Sequence, residues 1–137
     1  MADSENPRST EGSLAFTELS STDPTVTRRF LERAFGWRFR SIRMPQGEYL
    51  AYDAPGGRGG IRPVRPQEPP TSMAYIQVAD LAAAQARIEA AGGKIVLPRV
   101  EIPEMGCFFW FQAPGGPLLA CWQDPPVHSA EAKEKDR

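Results

Sequence analysis

The sequence predicts an α+β protein built from two tandem βαβββ units. A segment at 47–57 is rich in aromatic and aliphatic residues and ends in Ala-Pro-Gly-Gly, and a similar segment returns 59 residues later at 106–116. Such residues favour a strand, and the Pro-Gly-Gly that follows breaks the strand into a turn. Each copy follows a segment that begins at an aspartate, Asp23 or Asp80, and these two residues are 57 positions apart. Because two different elements recur at nearly the same offset, a duplicated unit explains the chain.

Length and composition are those of an ordinary globular protein. The 137 residues are 41% hydrophobic and 24% charged, with a formal net charge of -1. This balance gives no overall attraction to nucleic acid or to an anionic membrane. No apolar run approaches the roughly 20 residues of a membrane span, and the first residues lack the pattern of a signal peptide. Cys107 and Cys121 have no metal-type spacing, so we expect reduced thiols in a cytoplasmic protein.

The first unit is predicted at 13–64, after a polar tail at 1–12 that has little to bury. Thr22 or Asp23 can cap a helix whose first turn holds Pro24, and Gly36 suits the left-handed position that ends the helix. Val26, Phe30 and Ala34 are expected to form the apolar stripe of this helix. The strands of the unit are predicted at 14–20, 38–44, 48–53 and 60–64.

The second unit is predicted at 71–123, between a stiff proline-rich linker at 65–70 and a charged tail at 124–137. Its helix is expected at 80–91, with Asp80 as the cap. The offset grows from 57 to 59 between the helix and the Ala-Pro-Gly-Gly strand, so two residues enter in that connection. The strands are predicted at 72–78, 94–97, 107–112 and 118–123.

Two further patterns have simple interpretations. The glycine-rich stretch at 56–60 lacks the Gly-Lys-Ser/Thr ending of a phosphate-binding loop and is interpreted as a flexible turn. The arginines between positions 28 and 43 are interpreted as a solvated face, because no nucleic-acid-binding motif accompanies them.

The duplicated unit resembles the vicinal oxygen chelate superfamily, which includes glyoxalases, extradiol dioxygenases and bleomycin-resistance proteins. The segments that carry the resemblance are Thr-Asp-Pro at 22–24, Phe-Leu-Glu-Arg-Ala-Phe-Gly-Trp at 30–37 and Ala-Gly-Gly-Lys at 91–94. It covers residues 14–123. The resemblance implies that the two units form one domain whose mixed sheet curls into a cup, and that four inward positions of the cup carry a divalent metal.

Those four positions can be located by spacing from the resemblance and the repeat. They fall on Phe16 and Met73 in the first strand of each unit, and on Arg62 and Cys121 in the last strand. Catalytic divalent metals require imidazole and carboxylate ligands, which this set does not supply. The sole histidine, His128, lies in the tail. We therefore expect no metal and no cofactor.

Strand alternation then predicts which side chains face the cup. With Met73 inward, Ala74, Ile76 and Val78 pack beneath the second helix, and with Phe16 inward, Leu19 packs behind the first strand. In the last strand, Leu119, Cys121 and Gln123 are predicted to face the cup. The predicted ligand-contacting residues are Phe16, Glu18, Arg62, Met73, Tyr75, Gln77, Cys121 and Gln123. Glu18 has two simpler interpretations, a solvated residue or an ion-pair partner of Arg62.

Three functions remain open at this stage. The first is a metal-free protein of the glyoxalase and bleomycin-resistance type, which binds a small, partly aromatic molecule for sequestration or resistance. The second is a metal-independent enzyme of the lyase or isomerase kind, with Glu18 as general base. The third is a structural or regulatory module whose own side chains fill the cup. The resemblance also implies a homodimer, and neither a nucleic-acid nor a membrane partner is expected.

Overall fold

The computed structural model describes residues 11–45 and 47–126, and it confirms the α+β fold of two βαβββ units. The chain divides into two compact units, one at Leu14–Tyr75 and one that begins at Ile76 and includes residues before Leu14. The first six elements are β1 (Leu14–Ser21), α1 (Pro24–Phe35), β2 (Arg38–Met44), β3 (Gly47–Ala54), β4 (Gly57–Pro63) and β5 (Thr71–Gln77). The remainder are α2 (Leu81–Ala90), β6 (Lys94–Ile102), β7 (Gly106–Gln112) and β8 (Leu118–Gln123).

In the first unit the strands are ordered β2-β3-β4-β1. The neighbours β2, β3 and β4 pair antiparallel, whereas β1 pairs with β4 in parallel. Helix α1 packs on one face of these strands, and its Leu31 lies in a cluster with Tyr52 and Ile61. Leu19 packs against the same cluster, so its predicted position behind β1 is confirmed.

The ends of α1 follow the sequence signals. The Asp23 carboxylate accepts a hydrogen bond from the backbone N–H of Val26, and Gly36 adopts a φ of 72° where the helix ends. The predicted apolar stripe is wrong in its direction, because Val26 and Phe30 are exposed to solvent and Leu31 is the buried residue. Val26 and Phe30 help to line a shallow surface groove of about 500 Å³ along α1.

In the second unit, β7 pairs antiparallel with both β6 and β8. Helix α2 begins at the predicted aspartate, whose carboxylate accepts hydrogen bonds from the N–H groups of Ala82 and Ala83. The inner side of α2 packs on Phe109, Phe111 and other residues of the sheet. The cluster contains Val78, Leu81, Ala84, Cys107, Phe109, Phe111 and Cys121, with Ile76 packed against it.

Two predicted strand boundaries are wrong by three residues or more. Strand β6 continues to Ile102 instead of ending at position 97, because irregular pairing around Pro98 accommodates the proline without ending the strand. Strand β4 begins at Gly57 instead of position 60, so most of the glycine-rich stretch belongs to a strand and not to a flexible turn.

The two Ala-Pro-Gly-Gly hairpins differ in length by one residue. In the first, Asp53 pairs with Arg58, and four residues lie between these two partners. In the second, Gln112 pairs with Leu118, so five residues separate the equivalent partners. The repeat offset is therefore 59 before the turn and 60 after it.

Candidate functional site

The Glu18 carboxylate is the centre of a hydrogen-bonded cluster in the first unit. It lies in β1 on the face opposite α1, and only 9% of the residue is exposed. Its Oε1 accepts hydrogen bonds from Arg62 Nε at 2.9 Å and from the Tyr75 hydroxyl at 3.0 Å. Its Oε2 accepts one from the Tyr49 hydroxyl at 2.8 Å. Three donors from three different strands thus hold one carboxylate in place.

Arg62 joins this carboxylate to a second one. Its two terminal nitrogens donate to the two oxygens of Glu68 at 2.8 and 2.7 Å, in the bidentate geometry that suits a guanidinium and a carboxylate. The backbone N–H of Arg65 also donates to Glu68 at 2.8 Å. The ion-pair interpretation of Glu18 and Arg62 is therefore confirmed, and the predicted linker supplies a further acid to the cluster.

Glycines make this cluster possible. Tyr49 is in β3, one strand beyond β4, and its ring must cross β4 to reach β1. A Cβ on Gly60 would collide with the Tyr49 hydroxyl and ring, so the absent side chain creates the passage. On the opposite face, Tyr52 crosses β4 at Gly59 and donates to the carbonyl oxygen of Thr17 at 2.8 Å.

The electrostatics of the cluster favour a fixed charge distribution. Burial, reinforced by the nearby Glu18 carboxylate, raises the pKa of Tyr49 far above its ordinary value, so this phenol stays a donor. Burial by itself would lower the pKa of Arg62, but the hydrogen bonds and charges of Glu68 and Glu18 outweigh it and raise that pKa. The hydrogen bonds from Arg62 lower the pKa of Glu68.

An aromatic pair lies beside the cluster. The Phe16 ring stacks on the Tyr75 ring with centroids 4.5 Å apart and planes inclined by 17°. Tyr75 is 2% exposed, whereas Phe16 is half-buried. The guanidinium carbon of Arg58 lies 6.0 Å from the centroid of the Phe16 ring. Met73, two residues before Tyr75 in β5, is also buried.

The side chains of β8 do not point to the predicted faces of the sheet. Cys121 lies in the apolar cluster beneath α2, and Leu119 packs against that cluster. Gln123 is on the same side, because its amide oxygen accepts a hydrogen bond from the backbone N–H of Leu81 at 2.7 Å. The inward placement of Cys121 and Gln123 is therefore wrong. Burial raises the pKa of the Cys121 thiol to about 11.

The longer second hairpin explains the error. The prediction carried the offset of 59 through the turn and matched Arg62 with Cys121. Once the extra residue is counted, Ile61 corresponds to Cys121 and Arg62 corresponds to Trp122. Because side chains alternate along a strand, an error of one residue reverses the assignment of every side chain in it.

The eight predicted residues thus separate into two groups. Phe16, Glu18, Arg62 and Tyr75 contact one another in the first unit, directly or through Glu18. In the second unit, Gln77 donates to the Asp124 carboxylate at 3.2 Å, and Ile76 and Val78 pack under α2 as predicted. Tyr49 and Glu68 were missed. Alternation in β3 could have indicated Tyr49, but no sequence signal places Glu68 against Arg62.

The residues at the family's metal positions do not fit a metal. Phe16 and Met73 offer no imidazole or carboxylate, and the Arg62 guanidinium carries a positive charge. If the fourth metal position is assigned instead to Ala120 or Trp122, which flank Cys121 on the other face of β8, it still holds no metal ligand. In residues 11–45 and 47–126, no three His, Cys, Asp or Glu side chains are grouped so that they could hold a metal ion.

Comparisons with known proteins agree with this architecture. No family model matches the chain. It is 23% identical over 120 residues to "Putative glyoxylase CFP32" of Mycobacterium bovis and to the protein of the same name from Mycobacterium tuberculosis. These matches cover 82% of the chain but 46% of each relative, so the chain spans about half the length of the curated relatives it matches.

Solved structures show the same fold at low sequence identity. Methylmalonyl-CoA epimerase from Mycobacterium tuberculosis superposes with a TM-score of 0.65 at 15% identity, covering 87% of this chain and 91% of the epimerase. A glyoxalase/bleomycin resistance protein/dioxygenase superfamily member from Vibrio splendidus gives 0.59 at 19% identity, covering 80% and 97%.

The protein therefore has the glyoxalase-like fold that these solved structures share. The resemblance predicted from the repeated unit is confirmed at this level. Within the described residues, neither helix is long and apolar enough to cross a membrane.

Proposed function

We propose that the protein binds a small, partly aromatic organic molecule without a metal, on the face of the first unit opposite α1. The observation that carries the proposal is the Phe16–Tyr75 pair. Phe16 is half-buried and its ring rests on a buried ring, so it offers an aromatic surface backed by a rigid support. Ligand sites commonly combine such apolar surfaces with a few fixed polar groups.

The hydrogen-bonded cluster supports this proposal because it fixes the aromatic surface. Tyr75 is tied to Glu18, and Glu18 is tied in turn to Arg62 and Tyr49. A side chain that is already ordered loses little conformational entropy when a ligand binds, which favours affinity. Sequestration of a reactive or toxic aromatic compound is the role that best suits a rigid binding surface without a metal.

The geometry favours binding over catalysis by Glu18. A general base must accept a proton from its substrate, but this carboxylate already accepts three hydrogen bonds, one of them from a guanidinium. Proton abstraction would weaken the contact with Arg62. A second candidate, a module without a ligand, is favoured by the burial of Glu18, Met73 and Tyr75, which leaves Phe16 as the accessible part of the aromatic pair.

A thermal-shift screen with small aromatic compounds tests the proposal, because a ligand that binds the native state raises the melting temperature. Hits should lose at least about tenfold in affinity in Phe16→Ala, consistent with the loss of an aromatic contact and its buried area. Phe30→Ala is the matched control, since Phe30 is exposed on α1. If no aromatic compound raises the melting temperature, or if both variants bind equally well, the binding function is wrong.

A turnover assay separates the enzyme hypothesis from binding. Each hit is incubated with the protein in the presence of EDTA, and product formation is followed for the wild type and for Glu18→Gln. We expect no turnover by either. Turnover that the wild type supports and Glu18→Gln abolishes would replace the binding proposal with a metal-independent enzyme.

A further inference from the structure

Three arginines surround one carboxylate on the face of the first unit opposite α1. Arg38 pairs with Asp53 across β2 and β3, and Asp53 pairs with Arg58 across β3 and β4. Directly opposed residues share a face of a sheet. Arg40 contributes an ion pair with Asp53 at 3.1 Å. All four side chains are exposed, and together they carry a formal charge of +2.

The positive charge of this patch is not neutralised locally. Neither Arg38 nor Arg58 forms an ion pair with any acid in the part of the chain that the structure describes. The nearby Arg62 is different, because Glu18 and Glu68 take up its charge. The unneutralised charge is thus concentrated at Arg38 and Arg58.

Arg58 brings this charge to the aromatic surface. Its guanidinium carbon is 6.0 Å from the centroid of Phe16, at the outer limit of a cation–π contact. At that distance the guanidinium is not tightly stacked, and its planar N–H groups can donate to a carboxylate or phosphate. A ligand ring that lies on Phe16 would take the place of this guanidinium over the ring and would have a cationic donor next to it.

We infer that the ligand is an aromatic anion, whose ring lies on Phe16 and whose carboxylate or phosphate pairs with Arg58. Arg38 and Arg40 raise the local positive potential and favour the approach of the anion. This inference rests on the binding function proposed above. It adds a charge requirement that the Phe16–Tyr75 pair alone does not impose.

Isothermal titration with phenyl phosphate, benzoate and the neutral benzyl alcohol tests the inference. We expect the two anions to bind and benzyl alcohol to bind at least about tenfold more weakly, the effect of one charge-assisted hydrogen bond. Arg58→Gln should reduce the affinity for phenyl phosphate by about tenfold or more. Affinity for the anions should also fall as salt is added.

Arg43→Gln is the matched control. Arg43 is an exposed arginine of β2, and it lies on the α1 side of the sheet because Phe39, four residues earlier in the strand, packs in the α1 cluster. The substitution removes the same charge from the opposite face of the sheet. The affinity for phenyl phosphate should therefore change by less than about twofold, since solvent and salt screen distant charges. Circular dichroism establishes that both variants are folded.

The outcomes distinguish the two proposals. If benzyl alcohol binds as tightly as the anions and only Phe16→Ala weakens it, the binding function stands and the charge requirement is wrong. If Arg58→Gln and Arg43→Gln weaken phenyl phosphate equally, Arg58 has no specific role and the inference also fails. If none of the three compounds binds and the aromatic screen finds no other ligand, both proposals fail.

Discussion

At the scale of single residues, one buried carboxylate organises the first unit. Glu18 is expensive to desolvate, and the three donors that surround it offset this cost. Tyr49 and Tyr75 come from β3 and β5, which both follow β1 in the sequence, so their hydroxyls converge on Glu18 only when the strands have paired. The cluster therefore couples the position of each side chain to the assembly of the unit.

Acid should weaken this cluster through protonation of Glu68. Its pKa is lowered in the folded protein, so its contribution to stability is present above its ordinary pKa of 4.5 and is lost as pH falls through the lower folded value. Urea unfolding between pH 7 and pH 3 should show the free energy of unfolding declining below about pH 4.5. Glu68→Gln should be less stable at pH 7 and should decline less steeply below that pH. If the free energy of unfolding of Glu68→Gln fell below pH 4.5 as steeply as that of the wild type, this role of Glu68 would be wrong.

At the scale of elements, the sequence located the helices better than the faces of the strands. Asp23 and Asp80 identify the start of each helix because the capping carboxylate bonds nearby N–H groups, an interaction local in sequence. The spacing from Asp80 also predicts correctly that the side chains of Ile76 and Val78 face α2. The assignment of side chains in β8 depended on the length of the turn before it. That length is determined by the pairing of two strands, which a repeat offset does not specify.

The glycines of β4 provide a graded test of how the tyrosines cross it. Gly59→Ala should destabilise most, by about 3 kcal/mol or more, because its Cβ would collide with the backbone oxygen of Thr17, which cannot move freely. Gly60→Ala should cost less and should be largely rescued by Tyr49→Ala, since the obstructing group is a side chain.

Gly57→Ala is the control for this series, because nothing lies within 4 Å of a Cβ at that position. It should be neutral or slightly stabilising. Equal losses of stability in all three variants, measured by urea denaturation, would show that backbone freedom and not the passage of the tyrosines is what these glycines provide.

The side-chain orientation in β8 can be tested through the reactivity of the Cys121 thiol. With Cys107 replaced by serine, reaction of Cys121 with a disulfide reagent at pH 8 should be slow, because the thiol is buried and its pKa is about 11. About one thiol in a thousand would then be ionised, against roughly a quarter for a free cysteine. The rate should rise with pH and with urea. Rapid reaction of the native protein at pH 8 would instead place Cys121 on an accessible face.

At the scale of the whole molecule, duplication made the fold predictable, while the chemistry depends on a few positions. The repeat and two caps were enough to predict the fold, and structures at 15 to 19% identity share it. The candidate site could be predicted only in part. An ion pair of Glu18 with Arg62 was one of the interpretations that the sequence allowed, but Tyr49 required the glycine gap in β4 and Glu68 required the path of the connection after β4.

Divalent metals should leave the stability of the protein unchanged. The melting temperature should not rise with stoichiometric Zn²⁺ or Ni²⁺ and should not fall with EDTA, since the family's metal positions hold no suitable ligand set. A metal-binding member of the superfamily measured in the same way is the positive control. A rise in the melting temperature at micromolar metal, reversed by EDTA, would contradict this expectation.

The extra residue in the second hairpin has an evolutionary consequence. Relative to the first unit, one amino acid inserted in a surface loop is enough to change which side chain occupies a given place in the last strand, although the strands still pair. A duplicated gene segment can therefore acquire a different surface by a three-nucleotide insertion, with no substitution in the strand itself. Alignments of such repeats that ignore loop length will assign ancestral roles to the wrong descendants.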